Sequence, residues 1–436
     1  MKRVGSFLKS GAIIFTVALL ARLFYLLFLL HSAPTHGSQH FLYGGETGSI
    51  AASIASGHGF SSPLSAPSGP TAWMTPVFPY ILAAIFKIFG IFTLRSNLVI
   101  RCLDILFSAL TSFPILFLGR KLFGETAAVV GGWIWAFAPA AIYFPVVWVW
   151  DMSLSALALT AALWLCYKIE NRDDLKSWSL LGFVWGFAVL VNAAILSLLP
   201  GSLAFALYSR RSRGSAWLKP GGLALLAFAI TIAPWIIRNE ILFHGQVVLR
   251  SNFGLELWLG NNPEVPDTWT WWLHPTGSRK EYQEFFRVGE VAYMQEKTTA
   301  AIQFIKSHPM EVLRFQAHRF LETWTGNSDA FTDIWNTKDL ALRAELLANY
   351  SLTLLMLLGL LFAYRASPLN SLPLLNAVVI FPIPYYLCHT NPRYRHPIDP
   401  VIVLLAGYAC AQIVRIVRSR IESGNITQHA KAQPVR

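Results

Sequence analysis

Charge is scarce in this 436-residue chain, and the scarcity excludes a soluble domain. Only 13% of the residues are Asp, Glu, Lys or Arg, whereas hydrophobic residues make up 54%. A soluble domain carries about 25% charged residues, so this chain cannot cover itself with an ordinary aqueous surface. Cysteine is also rare. All four cysteines fall inside apolar segments, which is typical of small core residues rather than of a disulfide or zinc framework: Cys102, Cys166, Cys388 and Cys410.

Long apolar runs replace the missing charge, and they predict an all-α polytopic membrane protein with about ten transmembrane helices. A run of about 17–25 apolar residues is long enough to cross a bilayer. We expect the spans near 11–30, 103–118, 126–144, 152–167, 178–190, 193–208, 221–237, 350–362, 372–388 and 398–414. The first run is interpreted as an anchor rather than a cleaved signal peptide, because it contains Arg22 and lacks a small-residue cleavage site.

Basic residues cluster in the short loops between these runs, and the clusters fall on one side of the predicted bundle. Cytoplasmic loops carry such an excess of Lys and Arg, so both termini are predicted to be cytoplasmic. The net charge of +12 is explained in this way and does not indicate a nucleic-acid partner.

Four units follow from this topology. They are an N-terminal transmembrane catalytic module (1–238) with a first outer loop (31–100), a large, mostly helical outer-loop domain (239–349), C-terminal transmembrane helices (350–415) and a cytoplasmic tail (416–436). Residues 76–92 are expected to form a helix in the outer interface.

The distribution of acidic residues points to two candidate catalytic carboxylates, Glu46 and Asp151. The large outer loop holds 14 of the 23 acidic residues, and only four of the other nine fall at or near the outer face: Glu46, Asp104, Asp151 and Asp399. Asp151 sits at the mouth of a span, where a charge is costly unless it is paired or used. Two simpler interpretations stay open. Asp151 could be a plain boundary residue, and Glu46 could only complement a helix N-terminus.

Arginines on the outer side suggest a phosphate-binding site. Arg393 and Arg395 flank Tyr394 in a compact turn before the last span, and Arg238 closes the seventh. Arg forms a bidentate fork with phosphate oxygens, and alternate side chains of an extended turn point the same way. Contact with lipid headgroups is the alternative. Arg22 is expected either to pair with an acid or to snorkel.

Several short stretches, in this order, resemble the GT-C class of membrane glycosyltransferases, specifically bacterial relatives of the dolichyl-phosphate-mannose protein mannosyltransferases and of the lipid A aminoarabinose transferase. The resemblance covers most of residues 10–415. The family usually has Asp-Glu where this chain has Gly45-Glu46. The stretches that carry the resemblance are Glu46-Thr47, Gly57-His58-Gly59-Phe60, Pro76-Val77-Phe78-Pro79-Tyr80, Gly119-Arg120-Lys121-Leu122-Phe123-Gly124, Pro234-Trp235-Ile236-Ile237-Arg238-Asn239, Gly260-Asn261-Asn262-Pro263 and Arg393-Tyr394-Arg395-His396-Pro397.

The resemblance implies an inverting glycosyltransferase of the bacterial cytoplasmic membrane, with its site facing the periplasm or exterior. Its partners would be a polyprenyl-phosphate-linked sugar donor, a lipid, glycan or protein acceptor, and membrane lipids. No cofactor is required by this scheme, and no His/Cys/Asp cluster has ligand spacing. A divalent metal is left open. The alternative is a transporter or flippase of a lipid-linked saccharide, which would show internal repeats and mid-span charges.

Roles for individual residues follow from the resemblance together with the charge pattern. Glu46 and Asp151 are the expected catalytic residues. Further candidates are expected to bind the donor phosphate: Arg393, Arg395, Arg238 and Lys87. The remaining candidates lie on the expected substrate loops: Tyr43, His58, Asn261 and Asn262.

The predicted orientation can be tested in intact cells. Cysteines introduced at Ser65 and Thr276, one in each outer loop, should react with a membrane-impermeant thiol reagent, and Ser212→Cys should not. Labelling of the cysteine at position 212, with none at positions 65 and 276, would reverse the topology.

Overall fold

A computed structural model describes residues 2–32, 42–169, 172, 174–266, 268–326 and 340–431. Within these residues the regular structure is helical, apart from a single antiparallel bridge between Ser61 and Pro70. The predictions that concern 33–41 of the first outer loop, 267 and 327–339 of the large loop and 432–436 of the tail fall outside the described residues.

In its described residues, the first half of the chain forms eleven α-helices. They are α1 (Lys2–Ser32), α2 (Glu46–Ala55), α3 (Val77–Phe89), α4 (Leu94–Leu110), α5 (Ser112–Leu122), α6 (Glu125–Phe137), α7 (Pro139–Val147), α8 (Met152–Ile169), α9 (Leu175–Val191), α10 (Leu199–Arg211) and α11 (Leu218–Phe243). A 3₁₀ helix, Ala193–Leu198, leads into α10.

The second half holds the large loop and the last membrane helices. They are α12 (Phe253–Gly260), α13 (Arg279–Val288), α14 (Glu290–Ser307), α15 (Pro309–Thr325), α16 (Leu340–Ala366), α17 (Pro368–Val379), α18 (Ile383–Leu387) and α19 (Asp399–Lys431). Two further 3₁₀ helices cover Trp271–Leu273 and Pro392–Ile398.

The predicted all-α polytopic membrane fold is confirmed. In the described part of the chain, eight helical segments are long and apolar enough to cross a membrane. The pair α6 and α7, bent by 43°, makes a ninth when counted as one span. The 17-residue apolar α9 corresponds to the predicted run 178–190 and brings the number to ten. The helix α3 has only 13 residues, which agrees with its interpretation as an outer-interface helix.

Helix boundaries follow local chemistry. The helix α4 begins at Thr93, whose hydroxyl accepts a hydrogen bond from the Ser96 N–H at 3.1 Å. The helix α9 ends at Asn192, whose side-chain oxygen accepts from the Ala194 N–H at 3.0 Å and so starts the next 3₁₀ turn. Gly289, at φ 84°, separates α13 from α14, because this left-handed conformation is one that glycine adopts without steric cost.

Arg22 lies in the first span, and neither predicted environment describes it. It is fully buried, but its partners are uncharged: Ser108 Oγ at 2.8 Å, and the carbonyl oxygens of Ala18, Trp135 and Ala136. Helix ends and bends expose carbonyls that the sequence pattern does not reveal, and the break between α6 and α7 offers two of them. Arg22 therefore binds α1 to the bent pair.

A buried carboxylate ties the first outer loop to the large loop. Glu290, the first residue of α14, accepts hydrogen bonds from Thr71 Oγ1 at 2.5 Å, the Ala72 N–H at 3.0 Å and Ser251 Oγ at 2.6 Å. Burial raises the pKa of Glu290, and these donors and Arg238 oppose the rise. The two predicted outer loops thus pack as one layer over the membrane helices.

Candidate functional site

Three buried or partly buried carboxylates lie near one another where this layer meets the membrane helices, and each comes from a different segment. Glu46 is the first residue of α2, Asp151 lies between α7 and α8, and Glu256 belongs to α12. Glu46 is 6% exposed and Asp151 is 8% exposed. Carboxylates are seldom buried so deeply unless they are paired or used, so the groups that surround them decide the chemistry of the site.

Glu46 is held close to the Asp151 segment by a glycine turn. Gly44, at φ 80°, approaches the backbone so closely that an added Cβ would lie 2.6 Å from the Val149 carbonyl oxygen. Only glycine fits such an approach in this conformation. The Thr47 N–H donates to the Gly44 carbonyl at 2.9 Å, which closes the turn and starts α2.

His274 faces Glu46 from the large loop. Its Nε2 lies 3.7 Å from Glu46 Oε1. Its Nδ1 accepts a hydrogen bond from the Thr276 N–H at 3.1 Å, so a neutral imidazole carries its proton on Nε2, toward the carboxylate. His274 therefore faces the Glu46 carboxylate from beyond hydrogen-bond distance.

Asp151 is balanced between burial and positive charge. Burial raises the pKa of this carboxyl group, whereas nearby Arg250 and Arg393 and a hydrogen bond from Ser155 oppose the rise. The Ser155 hydroxyl donates to Asp151 Oδ2 at 3.1 Å from one turn further along α8. Removing either arginine would therefore favour the protonated carboxyl group.

Arg393 is a buried cation, and some of its hydrogen-bond donors have no partner among the described residues. Its guanidinium carbon lies 4.5 Å from the ring centroid of Trp148, 4.4 Å from that of Trp150 and 5.1 Å from that of Tyr394. The side chain is 8% exposed, and its Nε and Nη1 have no hydrogen-bond partner among the described residues. Buried donors left unpaired are costly, so this aromatic cage presents a cation that lacks an anionic acceptor.

Glu256 forms an ion pair with His389. The two are joined at 2.6 Å between Glu256 Oε2 and His389 Nε2, and the Trp269 ring stacks on the imidazole at 4.8 Å. Burial disfavours the charged carboxylate, but the His389 hydrogen bond and charge, with Arg250 and His274, lower the pKa of Glu256 to about 2. Glu256 is therefore a permanent negative charge at physiological pH.

Arg250 connects the carboxylates. Its Nε donates to the Trp73 carbonyl at 3.0 Å, which fixes the guanidinium to the first outer loop. Its charge acts on both Asp151 and Glu256. Arg250 and Arg393 therefore supply the arginine charge that Asp151 faces.

Arg395, predicted to share a phosphate with Arg393, is occupied elsewhere. Its Nε lies 3.0 Å from Asp399 Oδ1, its Nη1 donates to the Thr323 carbonyl at 3.1 Å, and its Nη2 donates to Asn349 Oδ1 at 3.4 Å. The turn is a 3₁₀ helix rather than an extended strand, so residues two apart diverge around the axis instead of pointing the same way. The expectation of two arginines facing one phosphate is not met.

Arg238 and Lys87 also lie away from the Arg393 group. Arg238 donates from Nη1 to the Thr71 carbonyl and to Asn239 Oδ1, both at 2.8 Å, and from Nη2 to the Phe60 carbonyl at 2.9 Å. Lys87 is exposed, and its Nζ lies 3.4 Å from the Ala55 carbonyl at the end of α2. Both residues hold the first outer loop in place.

Of the four expected substrate-loop residues, three make internal contacts. The Tyr43 hydroxyl donates to the Thr93 carbonyl at 3.0 Å, Asn261 Nδ2 donates to the Leu387 carbonyl at 2.8 Å, and Asn262 Nδ2 donates to Thr270 Oγ1 at 2.8 Å. His58 is exposed at the rim of a cavity beside α2. The structure therefore does not bring these residues to the carboxylates.

Sequence reasoning missed four members of the site: Arg250, Glu256, His274 and His389. Three of them belong to the large loop, where charged residues are so numerous that no single one stands out from its neighbours in the sequence. Arg250 stands directly before the Ser251-Asn252 pair whose side chains bind Glu290 and Glu256. His389 stands close to Arg393 in sequence, and that proximity was the one available signal.

Across the described part of the chain, no group of three or more His, Cys, Asp or Glu side chains is arranged to hold a metal ion. The arrangement as it stands offers carboxylates that can accept a proton beside a cation that can accept an anion. General-base catalysis and stabilisation of an anionic leaving group need these two elements.

Residues 70–237 match the family model of dolichyl-phosphate-mannose-protein mannosyltransferases, a segment that includes Asp151 but neither Glu46 nor Arg393. No curated protein sequence matched significantly.

Solved structures share the fold at low identity. The archaeal oligosaccharyltransferase AglB from Archaeoglobus fulgidus, in complex with an inhibitory peptide and a dolichol-phosphate, aligns over 98% of this chain and 52% of its own, at 14% identity and a TM-score of 0.53. The Archaeoglobus fulgidus oligosaccharyltransferase in complex with Zn and sulfate aligns over 97% of this chain and 52% of its own, at 15% identity and a TM-score of 0.56. The chain thus spans about half the length of these archaeal proteins.

A structure of ArnT from Cupriavidus metallidurans, bound to undecaprenyl phosphate, aligns over 94% of this chain and 77% of its own, at 12% identity. Its TM-score of 0.39 is too low to establish a common fold. The matched segment and the archaeal structures confirm the predicted resemblance to the GT-C class of membrane glycosyltransferases at the level of the fold.

The Glu256–His389 pair predicts a specific pH dependence of stability. A carboxyl group whose pKa is lowered on folding, here from 4.5 to about 2, stabilises the folded protein above its unfolded value and loses that effect as the pH falls toward the folded value. Glu256→Gln should therefore lower the melting temperature of the detergent-solubilised protein at neutral pH, and the deficit should shrink on acidification between these two values. The exposed Glu264→Gln, in the same loop, is the control. A Glu256→Gln deficit that stays constant or grows on acidification would contradict the ion pair.

Proposed function

We propose that this protein is a glycosyltransferase that moves a sugar from a polyprenyl-phosphate-linked donor to an acceptor hydroxyl at the predicted outer face of a bacterial cytoplasmic membrane. One observation carries the proposal. A buried arginine, Arg393, has two unpartnered donors in an aromatic cage, close enough to the buried Asp151 for its charge to act on the carboxyl group. A phosphate would accept hydrogen bonds from these donors, and a neighbouring carboxylate can accept a proton.

Lipid-linked phosphates fit this placement. The site lies at the ends of membrane helices, where the head of a membrane lipid can reach it while its chain stays in the bilayer. The AglB structure that shares the fold holds a dolichol-phosphate, and the matched family is described by its use of dolichyl-phosphate-mannose. Both facts support a polyprenyl-phosphate donor for this chain.

The proposed step is a single displacement. The acceptor oxygen forms a bond to the anomeric carbon while the bond from that carbon to the phosphate oxygen breaks, with inversion at the carbon. The acceptor proton passes to a carboxylate, and the departing lipid phosphate keeps the bonding electrons. We assign the proton to Glu46, whose carboxylate faces His274 Nε2 at 3.7 Å and has no arginine ion pair among the described residues.

Arg393 takes the opposite role in this scheme. Negative charge accumulates on the phosphate as it leaves, and a positioned cation in a water-poor site stabilises it more than water would. Arg250 and the unpaired donors of Arg393 can meet this charge without a rearrangement. Asp151 and Glu256 keep both cations in place before the donor arrives.

The direct test is transfer itself. Purified protein would be incubated with polyprenyl-phosphate sugars that carry a labelled sugar, together with a membrane extract as the source of acceptor. The proposal expects label in an acceptor and release of polyprenyl phosphate. Failure of every donor tested to release its sugar would count against a glycosyltransferase. Movement of intact donor across vesicle membranes would instead support a flippase.

Removing the proposed base should abolish transfer with little effect on the fold. Glu46→Gln keeps the shape and hydrogen bonding of the side chain but cannot take a proton at physiological pH. Since a general base contributes about 10²–10⁴-fold to rate, kcat should fall by that order. Glu46→Gln should keep a wild-type melting temperature. Glu290→Gln should lower it, because Glu290 joins the first outer loop to the large loop through hydrogen bonds. Wild-type turnover by Glu46→Gln would transfer the role of base to Asp151.

Arg393 and Arg395 should now behave differently. Arg393→Lys keeps the charge but loses the planar fork, so the apparent KM for the donor should rise by roughly tenfold or more, the equivalent of one lost charge-assisted hydrogen bond. Arg395→Lys should leave the donor KM unchanged and lower the melting temperature, because its partners are protein groups. Equal donor dependence in wild type and Arg393→Lys would show that Arg393 does not bind the phosphate.

A further inference from the structure

A cavity of about 690 Å³ opens beside α2, and none of its lining residues belongs to the aromatic cage around Arg393. The face of α2, the loop that follows it and the end of α11 form its walls. Serine side chains from two segments line it: Ser49, Ser53, Ser56, Ser61, Ser62 and Ser65. Its volume lies within the range of about 300–1,000 Å³ that is usual for small-molecule sites.

The serine hydroxyls are arranged as pairs across the cavity wall. Ser49 Oγ lies 3.0 Å from Ser65 Oγ, and Ser53 Oγ lies 2.6 Å from Ser61 Oγ. A hydroxyl has one donor and two acceptor positions, so each pair keeps acceptor capacity for a further group. The wall therefore suits a ligand that itself carries many hydroxyl groups.

The charges around the cavity favour an uncharged ligand. Among its lining residues in the described chain there is no carboxylate and no lysine. Arg238 lines it, but this guanidinium already donates to the Phe60 and Thr71 carbonyls and to Asn239 Oδ1. Because these donors are occupied by protein groups, Arg238 is a poor receptor for a phosphate.

Backbone strain is concentrated in the same wall. Four residues other than glycine have positive φ in the described chain, and three of them line the cavity: Ser62 at 60°, Ser65 at 70° and Phe92 at 54°. Such conformations are costly and cluster at binding sites, where the surrounding structure enforces them.

The cavity runs alongside the helix that carries Glu46. Ser49 and Ser53 follow Glu46 by three and seven residues, which places all three on one face of α2. The cavity shares no residue with the cluster of Asp151, Arg250 and Arg393. A molecule held here would thus approach the proposed base from a wall that does not bind the donor phosphate.

We infer that this serine cavity, the six serines named above together with Phe60 and Arg238, binds a neutral saccharide portion of the acceptor. Sugar hydroxyls match the serine pairs, and the apolar faces of a sugar ring match Phe60, Phe92 and Leu242. The inference rests on the proposed function, since it assigns the acceptor of that transfer to the class of neutral glycans or glycan-bearing molecules.

A cysteine inside the cavity can report occupancy without turnover. Ser53→Cys would be made in full-length protein in which Cys102 and Cys410 are replaced by alanine, and its rate of reaction with a small maleimide would be measured in detergent. The probes are the neutral trisaccharides maltotriose, mannotriose and chitotriose at millimolar concentration, and separately undecaprenyl phosphate. Ser307→Cys, exposed at the end of α14, is the matched control.

At least one trisaccharide should slow labelling at position 53 several-fold and leave position 307 unchanged. No protection by any trisaccharide, or protection by undecaprenyl phosphate alone, would overturn the inference, the second outcome by assigning the cavity to the lipid. Because labelling needs no donor, protection without sugar transfer would reject the proposed function and keep the site. Sugar transfer without protection would support the proposed function and reject the saccharide site.

A larger side chain that occupies part of the cavity gives a second test. Ser53→Leu should raise the acceptor concentration needed for half-maximal transfer by roughly tenfold, which corresponds to about 1.4 kcal/mol, and leave the donor requirement unchanged. An unchanged acceptor requirement in folded Ser53→Leu would also overturn the inference. If Ser53→Leu does not fold, the cysteine experiment decides alone.

Discussion

The balance of charge around Asp151 is the constraint on which the site depends. A carboxylate buried at the mouth of a span is stable only beside positive charge, and Arg250 and Arg393 supply it. Arg393 in turn lies among aromatic rings, with two donors unpaired. Under the proposed function, an anionic ligand would accept the hydrogen bonds of these two donors. In this account the protein maintains a buried site that the donor phosphate stabilises on binding.

Close backbone approaches bring the members of this site together from distant parts of the chain. Gly44 brings the Glu46 turn against Val149, two residues before Asp151. Gly260 brings the end of α12, four residues after Glu256, against the backbone of Cys388, and Arg319 bonds to the carbonyls of Gly260 and Leu387 across the same contact. A side chain at either glycine would separate the segments.

The sequence predicted the fold and part of the site, and the difference has a physical cause. In a membrane protein an isolated outer carboxylate or arginine stands out against apolar surroundings, which identified Glu46, Asp151 and Arg393 as candidates. Arg395 met the same criterion, but it forms an ion pair with Asp399 and donates to the Thr323 carbonyl near the end of α15, and the second contact depends on tertiary structure. In the large loop, by contrast, charge is common, so Glu256 and His274 could not be distinguished from solvent-exposed residues.

Direct binding of the sugar-free lipid phosphate tests the central claim. Purified wild-type protein and Arg393→Met would be titrated with undecaprenyl phosphate and, separately, with undecaprenol, and the melting temperature would be followed. The account predicts that the phosphate raises the melting temperature of the wild type, that undecaprenol does not, and that Arg393→Met loses the response. Equal stabilisation by phosphate and alcohol, or an unchanged response in Arg393→Met, would contradict a phosphate site at the aromatic cage.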